Sequence, residues 1–153
     1  MKRPRLLCVD DDAGTRQFYE RLLGSYGFEV VVAGNAPQGL KVFHSDAGEI
    51  DAVIADYDMP GMNGAELAAE LKRRNPGLPV IMVSGCQAVL EEAPHFVDAS
   101  MPKGAPIDTI VEQVELLLTG QRHPAVPLSR YLPLGSALAG VAAAGFLIPK
   151  IWK

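Results

Sequence analysis

The sequence is poor in the residues that mark an oxidising or metal-rich setting. It holds 2 cysteines in 153 residues, Cys8 and Cys86, without the paired spacing of a zinc site or a redox CxxC motif. Both are read as reduced thiols. The 3 histidines, His44, His95 and His123, show no ligand spacing and receive no role. The N-terminus MKRPRLLCVDDD turns acidic after a few apolar residues, so it lacks the apolar core of a secretory signal, and the main body is expected in the cytoplasm. Basic charge is scarce in residues 1–120, which carry 10 Lys and Arg side chains against all 18 acids, a net of −8. Such a body lacks the clustered cationic face that releases counterions from a phosphate backbone, so no DNA or RNA partner is expected. Residues 121–153 have the opposite character, with 4 basic side chains and no acid. The length suits one ordinary domain and a short appendage, so a second catalytic or DNA-binding module is not expected.

What is present is a repeated design. Leu6, Leu7, Cys8 and Val9 form a short apolar run ending in three aspartates, the pattern of a strand buried on both faces that stops at a polar rim. Runs over 30–33, 52–55 and 80–83 repeat it, with a weaker fifth over 99–101. Between them lie stretches of helical period marked by Phe18, Leu22 and Leu23, by Leu40 and Phe43, by Leu67 and Leu71, and by Ile110, Val111, Val114, Leu117 and Leu118. Stops are expected at Gly24 and Gly27, at Asn75 to Gly77 with Pro79, and at Gly120. Alternating strands and helices predict an α/β fold: parallel βαβ units with right-handed crossovers and helices on both faces of the sheet.

In such sheets, sites gather at the carboxyl ends of the strands. The residues there are Asp10 and Asp11, Asp56, Ser84 and Lys103. Asp12 is placed to cap a helix starting at Ala13. Several carboxylates at one edge repel each other unless a cation shares them, and Mg²⁺ suits oxygen ligands. Asp10, Asp11 and Asp56 supply such ligands, Lys103 a fixed positive charge and Ser84 a hydroxyl, a sufficient kit for phosphoryl transfer.

The segments LLCVDDD, DAVIADYDMPGMNGAEL and VIMVSG, followed by a lysine, resemble in that order the receiver domain of bacterial response regulators. The resemblance implies a flavodoxin-like fold, a five-stranded parallel doubly wound sheet in order 2-1-3-4-5, over residues 5–119. It makes Asp56 the phosphoacceptor, with Gly64 at the end of its loop. Asp10 and Asp11 match the acidic pair that, with Asp56 and the backbone carbonyl of Asp58, holds Mg²⁺. Ser84 matches the hydroxyl switch residue and Lys103 the phosphate-pairing lysine. The implied partners are a sensor histidine kinase or histidine phosphotransfer protein and a downstream protein.

The sequence also departs from the family. The aromatic residue common three positions before the lysine is replaced by Ser100, which removes the usual switch side chain. Gly104 follows Lys103 where proline is usual, so no cis bond is expected there. Pro94 leaves a helix-compatible stretch only over 88–93, so the fourth helix is expected to be truncated or irregular and its face a non-standard output surface. Asp58 puts an acid beside the phosphoacceptor.

Residues 120–130 read as a linker and residues 131–149 as a hydrophobic helix without a charge, between Arg130 and Lys150. Two readings stay open for it: a single span tethering the domain to the inner membrane, or a helix packed on the domain or on a second copy in a homodimer. Three functions fit the whole. The first, implied by the resemblance, is a stand-alone response regulator that takes a phosphoryl group on Asp56 and is not an enzyme. The second is a receiver-like scaffold that binds partners without switching. The third is a phosphatase, since Asp56-Tyr57-Asp58 resembles the DxD motif of haloacid-dehalogenase-like enzymes, though there the nucleophile ends the first strand and here the third.

Overall fold

In the computed structural model, residues 2–45 and 49–120 are described. Five parallel strands, β1 (Arg5–Val9), β2 (Glu29–Ala33), β3 (Ala52–Asp56), β4 (Val80–Ser84) and β5 (Ala99–Pro102), form one sheet in the order β2-β1-β3-β4-β5. They alternate with α1 (Ala13–Ser25), α2 (Ala36–Ser45), α3 (Gly64–Arg74), α4 (Gln87–Glu92) and α5 (Ile107–Leu118). The chain leaves β1 toward β2 on one side and then crosses to β3 on the other. The strand order therefore reverses between β1 and β3, where such sheets open a crevice.

The apolar runs are continuous because both faces of the sheet are covered. Leu7 and Val9, Val53 and Ala55, and Val80 and Met82 pack with Phe43 of α2 and Leu67 and Leu71 of α3. Their neighbours one residue along, Leu6 and Cys8, Ala52 and Ile54, and Ile81 and Val83, pack with Tyr19 and Leu23 of α1 and Ile110, Val111 and Val114 of α5. The period of two divides the apolar residues of β1, β3 and β4 between the two cores. At 20–33 cal/mol per Å² of apolar area, each fully buried Leu or Ile adds roughly 1.5–3 kcal/mol before the loss of chain entropy.

Three local features differ from the sequence expectation. The inner stripe of α1 is Tyr19 and Leu23, four residues apart, while Phe18 is 44% exposed. The helix also runs through Gly24 to Ser25, with Tyr26 as its cap, because one interior glycine costs only about 1 kcal/mol when the next residues pack. The fifth strand reaches one residue past the expected 99–101, to Pro102. The expected short fourth helix is found: α4 has 6 residues and passes into a 3₁₀ turn, Ala93–His95, at Pro94, which cannot continue a helical ladder. No helix among the described residues is long and apolar enough to cross a membrane. The segments 120–130 and 131–149 lie, apart from Gly120, outside the described residues, and with them both readings of the tail.

Candidate functional site

Backbone hydrogen bonds carry the ladders past the strand ends and fix the loops that hold the site. Asp10 N–H donates to the Ala33 carbonyl at 3.1 Å, Tyr57 N–H to that of Val83 at 2.8 Å, and Lys103 N–H to that of Ser84 at 3.0 Å. Asp10, Asp56 and Ser84 are buried at the carboxyl edge of the sheet, and Asp11 and Asp58 are exposed beside them. Asp10, Asp11 and Asp56 each present a carboxylate oxygen within 4.8 Å of the others. Lys103 Nζ donates to Asp56 Oδ2 at 3.0 Å, and Asp58 N–H donates to Asp56 Oδ1 at 3.2 Å, so both oxygens of Asp56 are oriented. Ser84 follows Val83, the register partner of Asp56. Its hydroxyl oxygen accepts Cys86 N–H at 3.0 Å, which tethers it to the start of α4.

The electrostatics follow from burial. Loss of water raises the carboxyls of both Asp10 and Asp56 above the ordinary carboxylate range, and the hydrogen bonds they accept only partly offset this. Burial opposes the charge of Lys103, but the hydrogen bond to Asp56 and the fields of Asp56, Asp10 and Asp58 together raise its ammonium. Three carboxylates, two of them desolvated, against one half-exposed ammonium make a pocket short of positive charge. Its donors are all hard oxygens, which fits Mg²⁺ and does not fit a soft metal.

The loop from Asp56 to α3 is held from below by Gly64. A Cβ on Gly64 would lie 2.5 Å from the Asp56 carbonyl oxygen and 2.9 Å from the Tyr57 Cα, and the Gly64 N–H donates to the Tyr57 carbonyl at 3.0 Å. Asn63 and Glu66 form a reciprocal capping box that starts α3 at this point. Gly64→Ala is therefore expected to lower stability by about 1–3 kcal/mol in urea unfolding, because the backbone beneath Asp56 has to move.

Sequence reasoning did not find two further features of the site. Arg16 Nη1 donates to the Asp10 carbonyl at 2.8 Å. Its signal was position: a long side chain in the second turn of α1 leans toward the helix N-terminus and so reaches the preceding loop. The second is a cleft of about 520 Å³ between α1 and the β5–α5 loop, bounded by Asp10, Thr15, Phe18, Lys103, Ala105 and Ile110. Asp12 caps α1 as expected, accepting from Thr15 N–H at 2.7 Å and Thr15 Oγ at 2.9 Å. Ser100, at the position of the missing aromatic, donates its hydroxyl to the Leu90 carbonyl in α4 at 3.1 Å.

A doubly wound parallel sheet in this order, with an acidic pocket and a lysine at its carboxyl edge, defines a flavodoxin-like domain. The response regulator receiver domain model matches residues 6–105, and the chain belongs to that family. It is 39% identical over 83 residues to the transcriptional regulatory protein GlrR of Escherichia coli, a match covering 54% of this chain and 18% of that protein. The response regulator TrrA of Thermotoga maritima, solved in complex with Mg(2+)-BeF, superposes with a TM-score of 0.69 at 30% identity, over 74% of this chain and 98% of that one. A CheY-like receiver domain protein from Methanospirillum hungatei gives a TM-score of 0.71 at 26% identity, over 78% and 97%.

Proposed function

We propose that this receiver accepts a phosphoryl group on Asp56 from the phosphohistidine of a sensor histidine kinase or phosphotransfer protein, and signals through contacts with a downstream protein. The observation that carries this reading is the buried Asp56 carboxylate held at 3.0 Å by Lys103 within the three-carboxylate cluster. Asp10, Asp11, Asp56 and the backbone carbonyl of Asp58 would hold Mg²⁺, which when bound supplies the positive charge that the carboxylates and an incoming phosphoryl group lack.

The remaining steps belong to the protein's own side chains. An Asp56 carboxylate oxygen attacks phosphorus in line; the new O–P bond forms as the bond to the donor's imidazole nitrogen breaks, and that nitrogen keeps the electron pair. The Lys103 ammonium exchanges its bond to Asp56 Oδ2 for one to a phosphoryl oxygen. The Ser84 hydroxyl donates to a second phosphoryl oxygen. Because the same oxygen accepts Cys86 N–H, a shift of the hydroxyl toward phosphate is felt at the start of α4.

Acetyl phosphate tests the reading without a kinase. With Mg²⁺ the intact mass is expected to rise by one phosphate, and with EDTA in its place it is not; no adduct in Mg²⁺ overturns the proposal. One observation favours a second reading, a scaffold that binds partners without switching. Ser100 ties β5 to α4 through Leu90 where the family commonly carries an aromatic. The same experiment separates the two, because the scaffold takes up no phosphate.

A further inference from the structure

Every polar backbone group of Asp10 is held, and so is its side chain. Its N–H donates to Ala33, its Oδ1 accepts Asp12 N–H at 2.8 Å, and its carbonyl accepts Arg16 Nη1 at 2.8 Å. That carbonyl is half of the peptide unit leading to Asp11. Since the unit is planar, fixing the Asp10 carbonyl fixes the direction in which the Asp11 N and Cα leave it. The point matters because Asp11 is exposed, so core packing does not position it as it does Asp10 and Asp56. Its carboxylate nevertheless falls within 4.8 Å of theirs.

The guanidinium also lies against the turn between β2 and α2. A Cβ on Gly34 would come within 3.4 Å of Arg16 Nη1 and 3.6 Å of its Cζ, and the Gly34 N–H is itself held by Gln38 Oε1 at 3.0 Å. Arg16 is thus seated between two loops, within van der Waals reach of Gly34. A planar, permanently charged fork suits such a slot better than a mobile ammonium.

We propose that Arg16 is a positioning residue for the metal pocket: by holding the Asp10 carbonyl against the β2–α2 turn, it sets the Asp10–Asp11 peptide and so the spacing of the carboxylates that grip a divalent cation. The inference rests on reading the acidic cluster as a Mg²⁺ site. It is tested on the full chain by following amide chemical shifts as MgCl₂ is added, together with thermal midpoints in EDTA, for the wild type, Arg16→Ala and Arg16→Lys. Arg16→Ala is expected to weaken Mg²⁺ binding by about tenfold or more, the usual effect of losing an outer-shell partner. Arg16→Lys should weaken it less, because an ammonium can still donate one bond. Arg16→Lys also keeps the test available if Arg16→Ala fails to fold. A merely structural role would lower the EDTA midpoint and leave the affinity alone. Folded Arg16→Ala protein with wild-type Mg²⁺ affinity overturns the inference, and where that variant does not fold, Arg16→Lys protein with wild-type affinity does so. A wild type that binds no Mg²⁺ overturns the metal reading beneath it as well.

Discussion

Asp56→Asn is expected to take up no phosphate from acetyl phosphate and Mg²⁺ while forming a more stable metal-free domain than the wild type. The first effect is complete because a carboxamide oxygen is too weak a nucleophile to displace the donor. The second follows from burial. Desolvation raises the Asp56 carboxyl above its ordinary value of 3.8, outweighing Lys103 and the Asp58 N–H, so the folded state holds the proton more tightly than the unfolded chain. Ionisation of this group therefore works against folding: the penalty is absent below the ordinary value and complete above the raised one. At neutral pH its removal should therefore raise the stability measured by urea unfolding in EDTA. The gap between variant and wild type should close as pH falls through the window just above 3.8. Lys103 loses a partner in this variant, but it is half-exposed and water replaces that contact. Added Mg²⁺ should stabilise the wild type more than the variant and so narrow the gap from the other side.

Lys103→Met is expected to slow phosphorylation by acetyl phosphate about 100-fold, since it removes one preorganised donor aimed at the developing charge. The methionine keeps the volume and unbranched reach of the side chain, so the loss reports charge rather than shape. The ammonium of Lys103 is raised by its acidic neighbours, so it stays protonated across the working range. The deficit should accordingly be flat between pH 6 and pH 9. Lys103→Arg should recover part of the rate, because a guanidinium keeps the charge but projects a fork where the site holds a single Nζ at 3.0 Å from Asp56. Stopped-flow or quenched mass measurements of the initial rate check both variants.

The parts of this molecule legible in the sequence were those written in continuous chemistry. β1, β3 and β4 stood out because covered strands carry unbroken apolar runs, and Asp10 and Asp56 because each follows or ends such a run, while Lys103 follows the weaker fifth one. The short α4 was legible because Pro94 acts locally. The misreadings came where tertiary contacts decide. Phe18 satisfies the apolar pattern of α1 as well as Tyr19 does, yet Tyr19 is the residue that meets β1 and α5, and composition alone does not give the rotation of the helix. Gly24 looked like a stop, but packing at Leu23 carries the helix past it. Arg16 was missed for a different reason: its position in α1 lets it reach the preceding loop, but its contacts there, a backbone carbonyl and a glycine of another loop, have no signature at the level of residue type.

The central claim is that Asp56, among four neighbouring aspartates, is the one that carries the phosphoryl group. Borohydride reduces an acyl phosphate to the alcohol, turning a phosphorylated aspartate into homoserine and leaving free carboxylates untouched. Peptide mass mapping of the acetyl-phosphate-treated chain after this reduction should find homoserine at position 56 and nowhere else. Homoserine at position 10, 11, 12 or 58 in place of 56, or a phosphorylated chain with none, would contradict the account.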